Sequence, residues 1–175
     1  MHTLLSCSLI ITLLIIAYQD FKSREVHWFL FPLLLILSLS KLWYIDQLKE
    51  VFSFLINVLM VLVQLLLLTF YFSVKEKKLI NIADSYLGWG DILFLFNLCF
   101  LLSPVNFILF YLVSLLATII FFLVYKVFVN TTKPIPLAGL QAIIFTIVYI
   151  IDLSSPNIDL LNDFTSQEVL KGWIT

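Results

Sequence analysis

The sequence predicts an all-α, multi-pass membrane protein, because it is rich in apolar residues, poor in charge and organised in long hydrophobic stretches. Of its 175 residues, 62% are hydrophobic and 12% are charged, and the mean hydropathy is +1.11. Soluble domains carry about 25% charged residues, so this composition cannot cover a water-soluble globule. We expect one membrane domain over residues 1–151 and an extracytoplasmic tail over residues 152–175.

Six candidate spans follow from the apolar stretches. A helix needs about 20 apolar residues to cross about 30 Å of hydrocarbon. The stretches that approach this length are Leu4–Tyr18, Trp28–Ile45, Val51–Val74, Leu87–Ser103, Phe107–Val129 and Ile135–Ile151. The run from Ile92 to Val129 is too long for one helix, and we expect turn residues in Ser103–Asn106 to divide it. The first stretch is interpreted as a span and not as a cleaved signal, because no Lys or Arg precedes Lys22.

The distribution of Lys and Arg predicts the orientation of these spans, because basic residues are enriched in cytoplasmic loops. Seven basic residues lie in the first, third and fifth loops, and three lie on the other side of the membrane. The bias predicts that these loops are cytoplasmic and that both termini are outside. Within the outer tail, Asp163–Trp173 is predicted to form a short interfacial helix.

Charge and residue content exclude several kinds of site. The formal net charge is −1, from 10 basic and 11 acidic residues, which excludes a general binder of nucleic acid. Cys7 and Cys99 lie in apolar runs, where cysteine behaves as a small hydrophobic residue. His2 and His27 are too few to form a metal site with the acidic residues. We therefore expect neither a metal nor a cofactor.

Two aspartates stand beside predicted spans. Asp20 directly follows the first span, and Asp91 opens the fourth after Gly88-Trp89-Gly90. Acidic residues in or beside a span are destabilising, so each is a functional candidate. The predicted topology brings both carboxylates to the same depth on the cytoplasmic side.

A pair of carboxylates in one site has a specific chemistry. The two cannot comfortably both ionise, so one retains a proton. The ionised one can accept a proton from a water that attacks a peptide carbonyl, and the protonated one can donate to the oxyanion and the leaving amine. Helix termini favour Asp20 as the acid and Asp91 as the base, whereas Lys22 and Arg24 act on Asp20 in the opposite direction, so the assignment stays open.

The residues around the aspartates have two interpretations each. Gly88 and Gly90 can adopt positive φ and let the backbone approach a neighbour or a substrate strand, or they can form a simple turn before a helix. Lys22 and Arg24 can belong to the site or can be positive anchors at the membrane surface. Asp84 is interpreted as part of a solvated turn.

The sequence contains three notable segments, Asp20–Val26, Gly88–Asp91 and Pro134–Ala142. They resemble the signature regions of the type IV prepilin peptidase family, the bacterial branch of the Gly-x-Gly-Asp membrane aspartic proteases. Asp20, Arg24 and Val26 match its first motif, in which Arg follows the first catalytic Asp by four residues and precedes an aliphatic residue. Gly88–Asp91 matches the second motif, which ends in the second catalytic Asp. Ile135-Pro136 matches in outline the Ile-Pro-rich entry into the last span. The resemblance covers all six spans in order.

This resemblance implies an aspartic endopeptidase of the bacterial inner membrane that removes short basic leader peptides at its cytoplasmic face. The implied partners are prepilin-like proteins of pilus or secretion systems, with an apolar N-terminal helix, and the membrane lipids. The implied catalytic pair is Asp20 and Asp91. The implied positioning or substrate-binding residues are Gly88, Gly90, Arg24, Lys22 and Pro136.

The chain departs from the family pattern in three respects. His27-Trp28 stands where the family usually has Pro-Asn, and Leu93 stands where it usually has Lys, so the substrate range is open. Many relatives carry a Cys-rich insert and methylate the new N-terminus. With only two cysteines that insert is absent, and we expect peptidase activity alone.

Two functions from other classes compete with this one. A small proton-coupled transporter or channel could use Asp20 and Asp91 as a proton relay. The sequence shows no internal repeat, and the two aspartates are predicted at the cytoplasmic ends of their spans, not at the midplane where transporter sites lie. A non-catalytic assembly factor is the other alternative. Presenilin-like proteases are rivals within the enzyme class, and their nine spans disfavour them.

Overall fold

The computed structural model describes residues 2–44, 51–79, 81–85, 87–128, 136–155 and 159–163. Within these ranges the chain forms α-helices and turns without β-strands, which confirms the predicted all-α class. The helices in chain order are α1 (His2–Ser23), α2 (Leu30–Tyr44), α3 (Val51–Glu76), α4 (Ile82–Ser85), α5 (Trp89–Leu98), α6 (Pro104–Phe128) and α7 (Leu137–Ser154).

Four of these helices are long and apolar enough to cross a membrane. They cover Thr3–Ser23, Ser53–Glu76, Pro104–Lys126 and Leu137–Ser154. The helices α2 and α5 are apolar but shorter. A multi-pass membrane protein agrees with this pattern.

The fourth expected span, Leu87–Ser103, is shorter than predicted. The helix α5 ends at Leu98 after 10 residues, which extend over only about 15 Å. The chain turns before Pro104, which is the first residue of α6 and not part of the turn. Proline is common at this position because it has no backbone N–H, and an N–H in the first helical turn would have no partner within the helix.

The turn after α5 is buried and its backbone is paired. Cys99, Leu102 and Ser103 are at most 2% exposed. The side-chain amide of Asn57 on α3 donates to the carbonyl oxygens of Cys99 and Leu102, at 3.3 and 2.7 Å. Non-helical backbone at membrane depth is stable only where such partners replace water. Asn57 therefore allows α5 to end early.

The core lies along matching stripes of α1 and α7. On α1, Leu9, Leu13, Ile16 and Asp20 recur at spacings of three and four residues, so they share one buried helix face. The stripe on α7 consists of Ala138, Ala142, Phe145 and Tyr149. The small residues of α7 lie at the end where Asp20 is found. Small side chains let two membrane helices approach closely.

The other helices surround this pair. The helix α2 packs against α1, α5 contacts both α2 and α7, and α6 packs against α7. The helix α3 contacts α6 and α5, and its outer surface exposes large apolar side chains such as Leu66, Leu67 and Phe70. That surface is suited to contact with lipid.

Hydrogen bonds between α1 and α7 establish that the two helices run antiparallel. Tyr149, near the end of α7, donates through its hydroxyl to Ser6 Oγ near the start of α1, at 3.2 Å. Gly139, at the start of α7, contacts Asp20 near the end of α1. We call the end with Asp20, Asp91 and Gly139 the aspartate end, and the end with Ser6, Tyr149 and residues 159–163 the tail end.

Two minor expectations need correction or lie outside the described residues. The segment Ile82–Ser85, expected as a solvated turn, is a single helical turn in which Ile82 is 5% exposed. Ile135 and, except for Asp163, the predicted helix Asp163–Trp173 lie outside the described ranges.

Candidate active site

Asp20 lies inside α1, in its last turn, and not after the first span as the sequence suggested. The helix continues to Ser23, and the side chain of Asp20 is 8% exposed. Its Oδ2 atom accepts a hydrogen bond from the backbone N–H of Gly139, at 2.6 Å. The sequence did contain a signal for this position, because Asp20 continues the spacing of Leu9, Leu13 and Ile16.

Asp91 occupies the first turn of α5, as the sequence predicted. Gly88 precedes the helix as its N-cap, and its carbonyl oxygen accepts the backbone N–H of Asp91 at 3.1 Å. The Oδ1 atom of Asp91 accepts a hydrogen bond from the backbone N–H of Ala138, at 2.8 Å.

The two carboxylates therefore bind consecutive backbone amides at the start of α7. The first N–H groups of a helix have no partner within it, and the helix dipole favours negative charge at that end. Ala138 and Gly139 supply two of these groups, and the two aspartates also interact electrostatically with each other. The sequence-based assignment of acid and base considered the ends of α1 and α5 and the cations Lys22 and Arg24. In the structure, the start of α7 acts on both carboxylates as well.

Gly139 is a positioning residue that the sequence analysis did not select. A Cβ atom at this position would lie 2.9 Å from Asp20 Oδ2, 3.0 Å from Asp20 Cβ and 3.1 Å from a ring carbon of Phe21. These distances are too short for any side chain without displacement of Asp20. The absence of a side chain at Gly139 thus allows α7 to reach the Asp20 carboxylate.

Of the two interpretations of Gly88 and Gly90, the structure agrees with a simple turn before a helix. Gly88 is the N-cap of α5 with φ −63°, and no glycine in the described ranges has positive φ, so the alternative with positive φ is wrong. Added Cβ atoms would lie 3.4 Å from Asp91 Oδ2 at Gly88 and 3.6 Å from Phe31 Cζ at Gly90. These are ordinary van der Waals contacts, so the close approach between elements occurs at Gly139 instead. Both glycines line the cavity beside the aspartates.

A cavity of about 280 Å³ adjoins the aspartate pair. Its charged lining consists of Asp20, Asp91, Glu25 and Arg24, so carboxylates outnumber cations. Its apolar lining comes from the segment between α1 and α2, from Phe31 of α2, from the first half of α5 and from Ala138 of α7. The pair is thus accessible to a ligand from a space large enough for a short stretch of extended peptide.

Arg24 lines this cavity directly after the end of α1. Its backbone N–H donates to the carbonyl oxygen of Asp20 at 3.0 Å, and its φ is 59°. Its Nη1 atom is buried and has no hydrogen-bond partner in the described part of the chain. The guanidinium interacts electrostatically with Asp20.

Lys22 and Pro136 lie outside the cavity lining. Lys22 is exposed, and its Nζ donates to the hydroxyl of Tyr18 at 3.1 Å along the surface of α1. Pro136 is buried and precedes α7 as its N-cap, where its carbonyl oxygen accepts the N–H of Leu140 at 3.1 Å. Pro136 therefore supports the amides that hold the aspartates, whereas Lys22 contacts neither of them.

Two of the three positions that depart from the prepilin peptidase pattern line the cavity. Trp28 and Leu93 belong to its lining, and their side chains are 75% and 37% exposed. The segment that carries Trp28 is tied to α1, because both the backbone N–H and the ring Nδ1 of His27 lie within 3.0 Å of Gln19 Oε1. Gln19 is a second residue that the sequence analysis missed.

The arrangement is suited to proton transfer. Two carboxylates next to one cavity can hold a water molecule, accept a proton with one member and donate with the other. Three His, Cys, Asp or Glu side chains do not converge as a metal site anywhere in the described ranges.

The site thus joins three segments that the sequence singled out, through Asp20, Asp91 and the residues that follow Pro136. No protein-family model matches the chain, and comparisons with curated proteins and with solved structures find no match.

Proposed function

We propose that this protein is a membrane aspartic endopeptidase that removes short leader peptides from type IV prepilin-like proteins. The observation that carries the proposal is the pairing of Asp20 and Asp91 with the consecutive amides of Ala138 and Gly139 at the wall of one cavity. A purely structural role would not require a buried carboxylate, Asp20, and a half-buried one, Asp91, beside a space that a ligand can enter.

The reaction needs one ionised and one protonated carboxyl group. The ionised carboxylate takes a proton from water while the water oxygen attacks the carbonyl carbon of the peptide. The protonated carboxyl donates to the carbonyl oxygen as negative charge develops there. The C–N bond then breaks, and the amine leaves with a proton from the pair. Water thus supplies the hydroxyl of the new carboxyl terminus and the hydrogen of the new amine.

The membrane arrangement follows from the basic residues of the sequence. With six spans and both termini outside, the aspartate end lies at the cytoplasmic face of the bacterial inner membrane. A prepilin-like precursor then arrives by lateral diffusion, with its apolar helix among the spans and its leader next to the aspartates. The peptide near the cleavage site unwinds before reaction, because a helical peptide bond is shielded by its neighbours.

The resemblance to type IV prepilin peptidases supports the same reaction. Its motifs are dispersed over 120 positions of the sequence, from Asp20 to Gly139, and the residues that carry them meet at one end of the bundle. A chance match of all three motifs, with their residues at one site, is less probable than a chance match of any single motif. The absent Cys-rich insert leads us to propose cleavage without methylation of the new N-terminus.

The test is cleavage of a prepilin-type precursor from the same genome, co-reconstituted with the protein in lipid vesicles. The variants are Asp20→Asn and Asp91→Asn, which keep the size of the side chain and remove its charge and acidity. The matched control is Asp159→Asn at the tail end, where Asp159 Oδ1 accepts the N–H of Leu161 at 3.0 Å and an amide oxygen can do the same. Each active-site variant should lose at least about 10²-fold in cleavage rate, and the control should cleave normally.

The outcomes separate the proposal from its rivals. Loss of cleavage in both variants, with wild-type expression and thermal stability, supports the peptidase. Persistent cleavage in both variants, or no cleavage by the wild type, rejects it. Proton flux into vesicles that depends on Asp20 and Asp91 would then favour the proton-coupled transporter.

A further inference from the structure

The guanidinium of Arg24 has a buried, unpaired nitrogen atom at the aspartate end. Arg24 lines the cavity, and its Nη1 atom is buried and has no hydrogen-bond partner among the described residues. Buried N–H donors are normally paired, because loss of water without a replacement acceptor is destabilising. An acceptor that binds in the cavity would remove this penalty.

The backbone of Arg24 also departs from ordinary geometry. A φ of 59° is left-handed, a conformation that glycine adopts readily and that is strained for a residue with a Cβ. Glycine would therefore suit this turn better on backbone grounds. An arginine at a strained position beside a catalytic pair indicates a role for its side chain.

The charges of the cavity restrict the kind of acceptor. Asp20, Asp91 and Glu25 already line it, and none of them forms an ion pair with Arg24. A further carboxylate on the ligand would meet three existing ones, at least one of them ionised. A neutral carbonyl oxygen avoids this repulsion and accepts a charge-assisted hydrogen bond from the guanidinium. Main-chain carbonyls are the neutral acceptors that every extended peptide presents.

We propose that Arg24 Nη1 donates a hydrogen bond to a main-chain carbonyl oxygen of the bound peptide, close to but distinct from the carbonyl that is hydrolysed. This inference rests on the proposed peptidase function and assigns to Arg24 the alignment of the peptide against Asp20 and Asp91. The backbone N–H of Arg24 donates to the carbonyl oxygen of Asp20, so the backbone of Arg24 is held one helical turn from Asp20. Arg24 is then a substrate-binding residue and does not exchange protons with the reacting atoms.

The experiment combines an Arg24→Gly variant with substrates altered at single carbonyls. Glycine suits the left-handed turn, so this variant should fold at least as stably as the wild type. The substrates are synthetic precursor peptides in detergent micelles, each with one carbonyl oxygen near the cleavage site replaced by sulfur, a weaker acceptor. The control variant is Lys126→Gln, which removes an exposed cation from the last turn of α6.

With the unaltered peptide, Arg24→Gly should lower kcat/KM by about tenfold or more, as expected for loss of a hydrogen bond to a charged donor. Lys126→Gln should change it by less than about twofold. With the wild type, one sulfur substitution should also lower kcat/KM markedly. With Arg24→Gly the same substitution should have no further effect, because its partner is already absent.

One result would overturn the assignment while the peptidase stands, namely an equal effect of every sulfur substitution in the wild type and in Arg24→Gly. If Arg24→Lys also recovers kcat/KM in full, Arg24 acts as a counter-charge for Asp20. If the wild type cleaves no unaltered precursor, the proposed function and the role of Arg24 fail together.

Discussion

Each end of the bundle has an aspartate that accepts a hydrogen bond from a backbone N–H in the first turn of a helix. In both cases the helix begins at a proline or directly after one. At the tail end, Asp163 Oδ1 accepts the N–H of Val105 in α6, which begins at Pro104, at 3.0 Å. At the aspartate end, Asp91 Oδ1 accepts the N–H of Ala138 in α7, which follows Pro136, at 2.8 Å. The local chemistry is the same at both ends.

The surroundings of these carboxylates differ. Near Asp163, the carbonyl oxygen of Leu160 accepts the N–H of Ser103 at 2.9 Å and the side-chain amide of Asn106 at 3.0 Å. Residues 159–163 thereby cover the start of α6 and the buried turn before it. Near Asp91 there is a second carboxylate, a cavity and the unpaired nitrogen of Arg24. A helix cap becomes a candidate site where the neighbouring polar groups are left open to a ligand.

The largest effect is expected from Gly139→Ala at the aspartate end. Helix propensity favours alanine by about 1 kcal/mol, but the new Cβ would lie 2.9 Å from Asp20 Oδ2 and displace it. A catalytic group moved by about 1 Å loses about 10²-fold in rate, so kcat/KM should fall by about that factor with little change in unfolding temperature. Precursor cleavage and thermal unfolding in detergent measure the two quantities.

Gly90→Ala is the matched control for this change. Its Cβ would make an ordinary contact, 3.6 Å from Phe31 Cζ, so a loss of no more than about fivefold is expected. If Gly139→Ala and Gly90→Ala have equal kcat/KM for precursor cleavage, Gly139 does not position Asp20. The aspartate end would then differ less from the tail end than proposed.

Asn57→Leu should give the largest loss of stability near the tail end. It leaves the carbonyl oxygens of Cys99 and Leu102 without their partner in a buried turn. The free energy of unfolding should fall by about 2 kcal/mol, as measured by denaturant titration in micelles. Asn97→Leu is the control, because in the described part of the chain the Asn97 side chain donates to the carbonyl oxygen of Leu93 within its own helix and not to another element. If both variants unfold alike, the early end of α5 does not depend on Asn57.

Asp163→Ala should lower the free energy of unfolding by about 1.5 kcal/mol and leave precursor cleavage unchanged. The substitution removes the acceptor for the N–H of Val105 at the start of α6. Asp163→Asn retains an oxygen at the same place and should lose less. A loss of cleavage in stably folded Asp163→Ala would show that the two ends are coupled, contrary to the contrast drawn above.

Tyr149→Phe should have the smallest effect, a loss of about 0.5 kcal/mol in the free energy of unfolding. It removes the hydrogen bond to Ser6 but keeps the ring, whose centroid lies 4.4 Å from the Nζ atom of buried Lys41. The hydroxyl of Ser6 can then bond to its own helix backbone. Thermal unfolding measures the change, and a loss comparable with that of Asn57→Leu would mean that the hydroxyl of Tyr149 also supports Lys41.

The sequence contained much of the site but located it imperfectly. The rarity of carboxylates beside apolar stretches pointed to Asp20 and Asp91, and the structure brings both to one cavity. The apolar run alone indicated a first span that ends before Asp20, because a charged residue usually marks the end of a span. The helix continues because Asp20 is paired with Gly139 of another element, a contact 119 positions away in the chain. Hydropathy cannot anticipate such a partner.

The sequence also did not reveal which glycine is sterically required, because that too depends on contacts between distant elements. Gly88 and Gly90 flank Asp91 in sequence and attracted attention, yet their backbone is ordinary and their surroundings leave room for a side chain. Gly139 is crowded only because α7 crosses α1 at this level. Whether a glycine is sterically required depends on which element packs against it.

The sequence by itself determined the class of this protein. It contains several apolar helices and too few charged residues for a water-soluble globule. It also contains two carboxylates beside apolar stretches, a residue type suited to proton transfer. Those properties depend on composition and local periodicity. Tertiary structure decided that the start of α7 holds both carboxylates, that α5 ends after 10 residues against Asn57, and that the Arg24 nitrogen remains unpaired beside the cavity. These depend on contacts between residues far apart in the chain, which arise only when the helices pack.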